Sequence, residues 1–137
     1  MEEPEGMRTF RELQRVLERT KSFQEGILSM AADDMEWWAS GPPDALPWAG
    51  AYRGREGFVQ WYGKLSDFLK YDRWEPYEYV AQGDTVVEFV RAGGIAKATG
   101  RRYESDIARV WKFRDGKIAK VRSFYDTAAY VAAVRGP

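Results

Sequence analysis

The 137 residues include 21 Lys or Arg, 21 Asp or Glu, no cysteine and no histidine. The charges balance, so no net field draws the protein to nucleic acid or to an anionic membrane, and neither is expected as a partner. Without Cys or His, disulfides, Ser-His-Asp triads and most zinc hydrolases are excluded. Because the chain also has no glycine-rich phosphate loop, we expect no metal and no organic cofactor.

The amino terminus does not resemble a signal peptide, and the chain has no candidate membrane span. The start, Met-Glu-Glu-Pro-Glu-Gly, is acidic and lacks the basic and apolar regions of a signal peptide. No apolar run approaches the roughly 18 residues that a membrane span needs. These features favour a cytoplasmic protein, and the length fits one domain over residues 1–137 with an ordered core of about 8–134.

Helical patterns fill the first half of the chain. Thr9 with Glu12 and Ser22 with Glu25 match the capping box, which predicts two helix starts. The second helix is expected to end near Asp33 and Asp34. These two residues and Glu36 form the only group of carboxylates that resembles a metal site. Apolar residues recur every three or four positions over 55–69, which predicts a third helix. A short strand is expected at 35–38, followed by a proline-rich loop at 41–47.

The second half is rich in β-branched and aromatic residues. Four strands are predicted, at 74–81, 85–91, 102–113 and 117–125. Gly83-Asp84 and Asp115-Gly116 between them are hairpin turn signals. A last helix is expected at 127–134, capped by Asp126 or Thr127. Helices followed by an antiparallel meander indicate an α+β fold, with the helices on one face of the sheet.

Six short segments carry a resemblance to a known family. They are Ala-Asp-Asp at 32–34, Tyr-Arg-Gly-Arg-Glu-Gly at 52–57, Gly-Asp-Thr-Val-Val at 83–87, Thr-Gly-Arg at 99–101, Arg-Asp-Gly-Lys-Ile at 114–118 and Tyr-Asp at 125–126. In this order they resemble the SnoaL-like polyketide cyclases, within the wider group of nuclear transport factor 2 and ketosteroid isomerase folds. The resemblance implies one SnoaL-like domain, in which a cone-shaped, curved, antiparallel (mixed) sheet wraps around N-terminal helices. It also implies an apolar cavity and a homodimer.

Alternation along the last two strands indicates which side chains enter the cavity. One register directs Ser105, Ile107, Arg109 and Trp111 inward on the first of these strands, and Val121, Ser123 and Tyr125 inward on the second. The opposite register would bury unpaired Glu104, Asp106 and Lys112, which is costly. We therefore expect the first register.

The catalytic residues of the family do not carry over to this chain. The base carboxylate of the similar ketosteroid isomerases falls on Ala39. The essential Asp of the cyclases and limonene epoxide hydrolases falls on Ser123, and the cyclase histidine falls on Arg109. The Arg and Asp pair of the epoxide hydrolases falls on Val90 and Ala92. The resemblance thus implies the fold without naming an acid or base.

Arg109 and Tyr125 remain as candidate catalytic residues. A buried guanidinium needs a partner, which is either a ligand carboxylate, enolate or phenolate, or an internal carboxylate from Glu88, Asp34 or Glu36. The Tyr125 hydroxyl could donate to a substrate oxygen or bond to the backbone. The predicted ligand-binding residues are Trp37, Trp61, Ile107, Arg109, Trp111, Val121, Ser123 and Tyr125.

Three functions fit these observations. The first is an enzyme that isomerises, cyclises or hydrates a cyclic or polyketide-like carbonyl compound. The second is a module that binds a small apolar or cyclic molecule without catalysis, and the third is a dimeric scaffold. Alternation directs one of Trp37 and Trp38 inward and the other outward. Trp38 and Phe124 on the outer face of the sheet predict a homodimer through that face.

Overall fold

The structure, a computed structural model, describes residues 3–136 and is built around one mixed sheet. Its six strands lie in the order β2-β1-β6-β5-β4-β3, with β1 parallel to β6 and every other pair antiparallel. The elements are α1 Glu5–Thr20, α2 Phe23–Met30, β1 Ala31–Ala39, β2 Gly50–Arg53, α3 Gly54–Phe68, β3 Leu69–Gln82, β4 Thr85–Ala96, β5 Arg102–Arg114, β6 Lys117–Tyr125 and α4 Thr127–Arg135. The curved sheet packs its inner face against the helices, as the α+β prediction required.

Two of the predicted helix caps are present in the structure, and a third predicted helix start is wrong. The Ser22 side chain accepts a hydrogen bond from the Glu25 backbone, and Asp126 caps α4 through Ala129, both as predicted. The prediction of a start at Thr9 is wrong, because α1 begins at Glu5 after Pro4. Thr9 lies one turn inside the helix, where its hydroxyl donates to the carbonyl of Glu5 at 3.3 Å instead of capping.

The strands are longer than the sequence pattern indicated. β1 begins directly after α2, so Asp33 and Asp34 lie within a strand and the prediction that they end a helix is wrong. The short edge strand β2 was not predicted. β4 runs through Gly93 and Gly94 to Ala96. A Cβ atom on residue 94 would lie 2.5 Å from the Tyr103 hydroxyl, which is too close, so this position requires glycine. Glycine here permits the close approach of β3 and β5 on either side of β4.

The inward register predicted for β5 and β6 is confirmed. Ile107, Arg109 and Trp111 are buried on β5, and Val121 and Ser123 are buried on β6. Glu104, Asp106 and Lys112, on the opposite face, are exposed. The inner face therefore carries one charged residue on β5, Arg109.

The apolar core lies between the inner face of the sheet and helices α1 to α3. Trp37 on β1 is completely buried there, with its ring centroid 4.8 Å from those of both Phe58 and Trp61 on α3. Trp38, the next residue, lies on the outer face against Phe124 at 5.2 Å. The two adjacent tryptophans therefore point to opposite faces of the sheet, as predicted.

Within residues 3–136, no helix combines the length and the apolar character needed to cross a membrane.

Candidate functional site: a cavity ending at Glu88 and Arg109

An open cavity of about 520 Å³ lies between helices α1 and α3 and strands β3 to β5. Its wall is mostly aromatic and aliphatic, and its volume falls in the usual range for small-molecule sites. The lining residues are Phe10, Gln14, Leu17, Lys21, Ser22, Phe23, Trp61, Tyr62, Leu65, Tyr71, Trp74, Glu88 and Arg109. Two of them, Glu88 and Arg109, are buried and ionisable, each with 7% of its surface exposed.

Arg109 is held among aromatic rings and not by a carboxylate. Its Cζ atom lies 4.8 Å from the ring centroid of Trp74 and 5.7 Å from that of Phe23. Trp37 and Trp111 complete the cage at 5.7 and 5.8 Å. Such contacts stabilise a cation electrostatically while leaving its N–H groups free to donate. They account for a charge that has no ion pair within 4.0 Å in the described part of the chain.

The hydrogen bonds of Arg109 are incomplete. Its Nε donates to the Ser123 Oγ at 3.3 Å, and residues 3–136 supply no other acceptor. The fully enclosed polar atoms without a partner belong to Trp37, Ser40, Trp61 and Tyr103, and the Arg109 terminal nitrogens are not among them. Arg109 lines the open cavity and its two terminal nitrogens have no acceptor within residues 3–136, so a ligand oxygen in the cavity could accept from them.

Glu88 lies directly across from Arg109 on the neighbouring strand. The two residues are paired in the β4–β5 register. Glu88 Oε1 accepts a hydrogen bond from the Trp111 indole at 3.2 Å, and no described group donates to Oε2. Burial raises the pKa of Glu88, and the nearby Arg109 charge and the Trp111 hydrogen bond oppose that rise. Glu88 is thus a carboxyl group that holds its proton to a higher pH than an exposed carboxylate does.

Of the three carboxylates considered as internal partners of Arg109, Asp34 and Glu36 are engaged elsewhere. Asp34 pairs with Arg114 at 2.6 Å, and Glu36 lies 3.6 Å from both Arg53 and Lys120. All of these groups lie on the outer face of the sheet. Glu88 is therefore the internal carboxylate that acts on Arg109, at a distance greater than an ion pair.

Tyr125 has both its hydrogen-bonding functions satisfied within the protein. Its hydroxyl donates to the Ser40 carbonyl at 2.6 Å and accepts from the Trp48 indole at 2.9 Å. Burial raises its pKa above the usual value, which keeps the phenol neutral. Of the two roles considered for Tyr125, the internal hydrogen bond is the one that the structure contains.

A second, small space of about 20 Å³ also borders Arg109. It has room for about one water molecule. Its walls include Trp61, Ile107, Arg109, Ser123 and Tyr125, five of the predicted ligand-binding residues. Trp37, Trp111 and Val121 line neither space, because each is enclosed in the core.

The location of the open cavity was not anticipated from the sequence. Ala39 and Ser123, where the resemblance placed catalytic carboxylates, border only the small space. The open cavity lies towards α1 and β3, where Glu88, Tyr71 and Trp74 were not predicted as binding residues. The charged Glu88 among the buried Val86 and Val90 of β4 is the sequence signal that could have identified it.

No group of three or more Asp or Glu side chains within residues 3–136 is arranged to hold a metal ion. Asp34 and Glu36 of β1 instead form ion pairs with basic side chains of β2, β5 and β6.

Fold and cavity define a member of the cone-shaped α+β class. The sequence profile of the SnoaL-like domain family matches residues 10–121, and the chain belongs to that family. No curated protein matches the sequence.

Solved structures share this fold over nearly the whole chain. An NTF2-like protein from Burkholderia xenovorans is 29% identical with a TM-score of 0.78, covering 94% of this chain and 95% of its own. An NTF2-like protein from Burkholderia thailandensis is 25% identical with a TM-score of 0.78, covering 95% and 96%. TerC, co-crystallised with polyporic acid, is 25% identical with a TM-score of 0.80, covering 93% and 99%.

Proposed function

We propose that this protein binds a small, largely apolar, cyclic molecule in the 520 Å³ cavity, with Arg109 as its polar anchor. The observation that carries the proposal is the set of unfilled N–H donors of Arg109 at the end of an aromatic cavity. A fold selected only for stability would place Leu or Val at such a position, because an isolated buried charge costs several kcal/mol. A ligand oxygen would supply the missing acceptors.

The comparison with TerC supports this proposal. TerC covers 93% of the chain at 25% identity, and it was co-crystallised with polyporic acid. The name of that ligand describes an acid, and an acidic oxygen is what a guanidinium binds best. The aromatic wall of the present cavity suits a ring system, because rings stack well on Phe, Tyr and Trp side chains.

A second candidate function is catalysis of an isomerisation, cyclisation or hydration in the same cavity. Glu88 favours it, because burial raises the pKa of this carboxyl group and makes it a stronger base than an exposed carboxylate, able to accept and return a proton. Arg109, opposite it, would stabilise negative charge developing on a substrate oxygen. In this mechanism Tyr125 supports the wall through Ser40 and Trp48 and does not act on substrate.

Ligand binding is tested by native mass spectrometry of the purified protein and by a thermal-shift screen of cyclic acids and their neutral analogues. A ligand that binds only the folded state must raise its stability. We expect cyclic acids to raise the melting temperature of the parent protein and not that of an Arg109→Met variant. A screen in which no cyclic compound stabilises the parent would overturn the proposal. Turnover by the parent and not by Glu88→Gln would favour the catalytic candidate.

We also propose that the protein forms a homodimer through the outer face of the sheet. Trp38 and Phe124 are in contact there, and Arg122 lies over both rings at 5.0 and 5.1 Å. Tyr77, 47% exposed, continues the apolar surface towards β3. Contiguous exposed aromatic residues are typical of protein interfaces.

A further inference from the structure

We propose that the ligand is a conjugated monoanion presenting two acceptor oxygens to Arg109, and that Glu88 takes up one proton from solvent when this anion binds. The inference rests on the proposed function, because it names the chemical class that the same cavity would take. A carboxylate on an aromatic ring and the anion of an enolised dicarbonyl both belong to this class. Binding of a representative of each distinguishes the two.

The free N–H donors of Arg109 determine how many acceptor oxygens the ligand should present. Nε of Arg109 is used by Ser123, which leaves the two terminal NH₂ groups side by side and open to the cavity. Two parallel N–H···O bonds to one carboxylate, or to two neighbouring oxygens, match that fork. The rings around the guanidinium offer stacking surfaces to a planar ligand.

The charges of Glu88 and Arg109 explain why a proton must accompany the anion. With Glu88 ionised, Arg109 and Glu88 together carry no net charge, although they form no direct ion pair. A bound anion would leave one uncompensated negative charge in a space of low dielectric constant, which is strongly unfavourable. Protonation of Glu88 restores neutrality, and its free oxygen can then donate a hydrogen bond to the ligand.

Among residues 3–136, no other group near Glu88 is suited to take up this proton. Arg109 and Trp111 on β5 face it with donors that are already protonated. From β3, Tyr71 lines the cavity and Tyr79 is paired with Glu88 in the β3–β4 register. Burial raises the pKa of both phenols, so both remain neutral below pH 9. From α1, Gln14 does not titrate, and Lys21, which follows the helix, lines the cavity with a side chain that is largely exposed. The burial that raises the pKa of Glu88 makes proton uptake easier there than at an exposed carboxylate.

The test is a calorimetric titration of the full-length protein with 2-naphthoate, repeated in buffers of different ionisation enthalpy from pH 6 to 9. We expect uptake of up to one proton per site, and an apparent Kd that rises by up to tenfold per pH unit once Glu88 is ionised in the free protein. Glu88→Gln should bind 2-naphthoate with no proton uptake and a flat pH profile. The anion of 2-hydroxy-1,4-naphthoquinone is the second probe, and tighter binding of one or the other identifies which source of the oxygen pair fits the cavity.

Neutral 2-naphthamide separates failure of this inference from failure of the proposed function. Naphthoate binding by the parent without proton uptake, or identical pH profiles for the parent and Glu88→Gln, would overturn the inference. The amide binding while both anions do not would also overturn it, yet would leave the apolar binding site standing. If none of the three compounds binds at millimolar concentration, the inference and the choice of cyclic ligands in the proposed function both fail.

Discussion

Glu88 and Arg109 occupy directly paired positions on β4 and β5, yet their charged atoms lie more than 4.0 Å apart. Each side chain turns to a different neighbour, Arg109 to Ser123 and the aromatic rings, and Glu88 to the Trp111 indole. The two charges therefore influence each other through space without neutralising each other's hydrogen-bonding capacity. That separation leaves donors and an acceptor available to a ligand at the same point.

Replacing Arg109 with Met should weaken ligand binding while leaving the protein folded. Met keeps most of the side-chain volume and removes a charge that makes no ion pair among the described residues. Without the opposing cation, the pKa of Glu88 would rise further, so Glu88 would be neutral in the core over a wider range of pH than in the parent. We expect the affinity for 2-naphthoate to fall by about 2 kcal/mol or more, measured by calorimetry.

Arg109→Lys is the matched variant for this experiment, because it retains the charge and loses the two-pronged donor geometry. Intermediate affinity is expected for it. An Arg109→Met protein that unfolds at a markedly lower temperature would show that Arg109 serves chiefly to compensate Glu88. One that binds the probe as tightly as the parent would show that the anchor has been assigned wrongly.

Replacing Glu88 with Gln should change how stability depends on pH. The folded-state pKa of Glu88 is raised above its ordinary 4.5 by burial, so the folded state binds more protons than the unfolded state above that pH. By linkage, this group lowers stability progressively as pH rises from the unfolded pKa through the folded one. Glu88→Gln lacks that loss. We expect its free energy of unfolding, relative to the parent, to be higher at pH 8 than at pH 4.5, as measured by urea denaturation.

Glu78→Gln is the control for this comparison, because Glu78 is exposed on β3. Its stability relative to the parent should not vary appreciably between pH 4.5 and pH 8. A Glu88→Gln profile parallel to that of the parent would contradict the assignment of a raised pKa to Glu88.

Replacing Tyr125 with Phe should reduce stability without reducing affinity. The substitution removes the hydroxyl that donates to the Ser40 carbonyl and strands the buried Trp48 indole N–H. Leaving such a donor unsatisfied costs about 1–3 kcal/mol. Urea denaturation should show a loss of this order, whereas the Kd for 2-naphthoate should stay within about twofold. Loss of affinity with unchanged stability would show that Tyr125 contacts the ligand.

The strand register was predictable from the sequence because charge settles it. Burying Glu104, Asp106 and Lys112 together would have been far more costly than burying Arg109 alone, so one alternation was clearly favoured. The cap at Ser22 was predictable for a similar local reason, since its side chain satisfies a backbone donor three residues away.

The shape of the cavity was not predictable in the same way. It depends on how α1 and α3 pack over β3, and strand alternation contains no information on which inward side chains are enclosed and which border open space. Trp37 and Trp111 point inward as expected, but Phe58, Phe10 and Trp61 pack over them. Glu88 faces the opening because no helix residue covers it completely.

The outer face of the sheet yields a prediction about assembly. Phe124 is 38% exposed and packs on Trp38, so Phe124→Glu would place a charge in the proposed dimer contact. Analytical ultracentrifugation should show a dimer for the parent at micromolar concentration and a monomer for the variant. Val59→Glu is the control, because Val59 is 41% exposed on α3, away from that face. A monomeric parent, or dimers of both variants, would contradict the proposed interface.

Trp74 should matter for ligand binding more than for folding. It is 38% exposed at the cavity, and its ring lies 4.8 Å from the Arg109 guanidinium, at the short end of the distances in the aromatic cage. Trp74→Leu removes a stacking surface for the ligand and one contact that stabilises the cation, worth about 0.5–2 kcal/mol. Trp38→Leu is the matched control, since Trp38 is a partly exposed tryptophan that contacts Arg122 on the opposite face of the same sheet. Calorimetry should show weaker 2-naphthoate binding by Trp74→Leu and unchanged binding by Trp38→Leu. Equal losses in the two variants would indicate a general effect on the sheet, and unchanged binding in both would mean that the ligand does not approach Arg109 past Trp74.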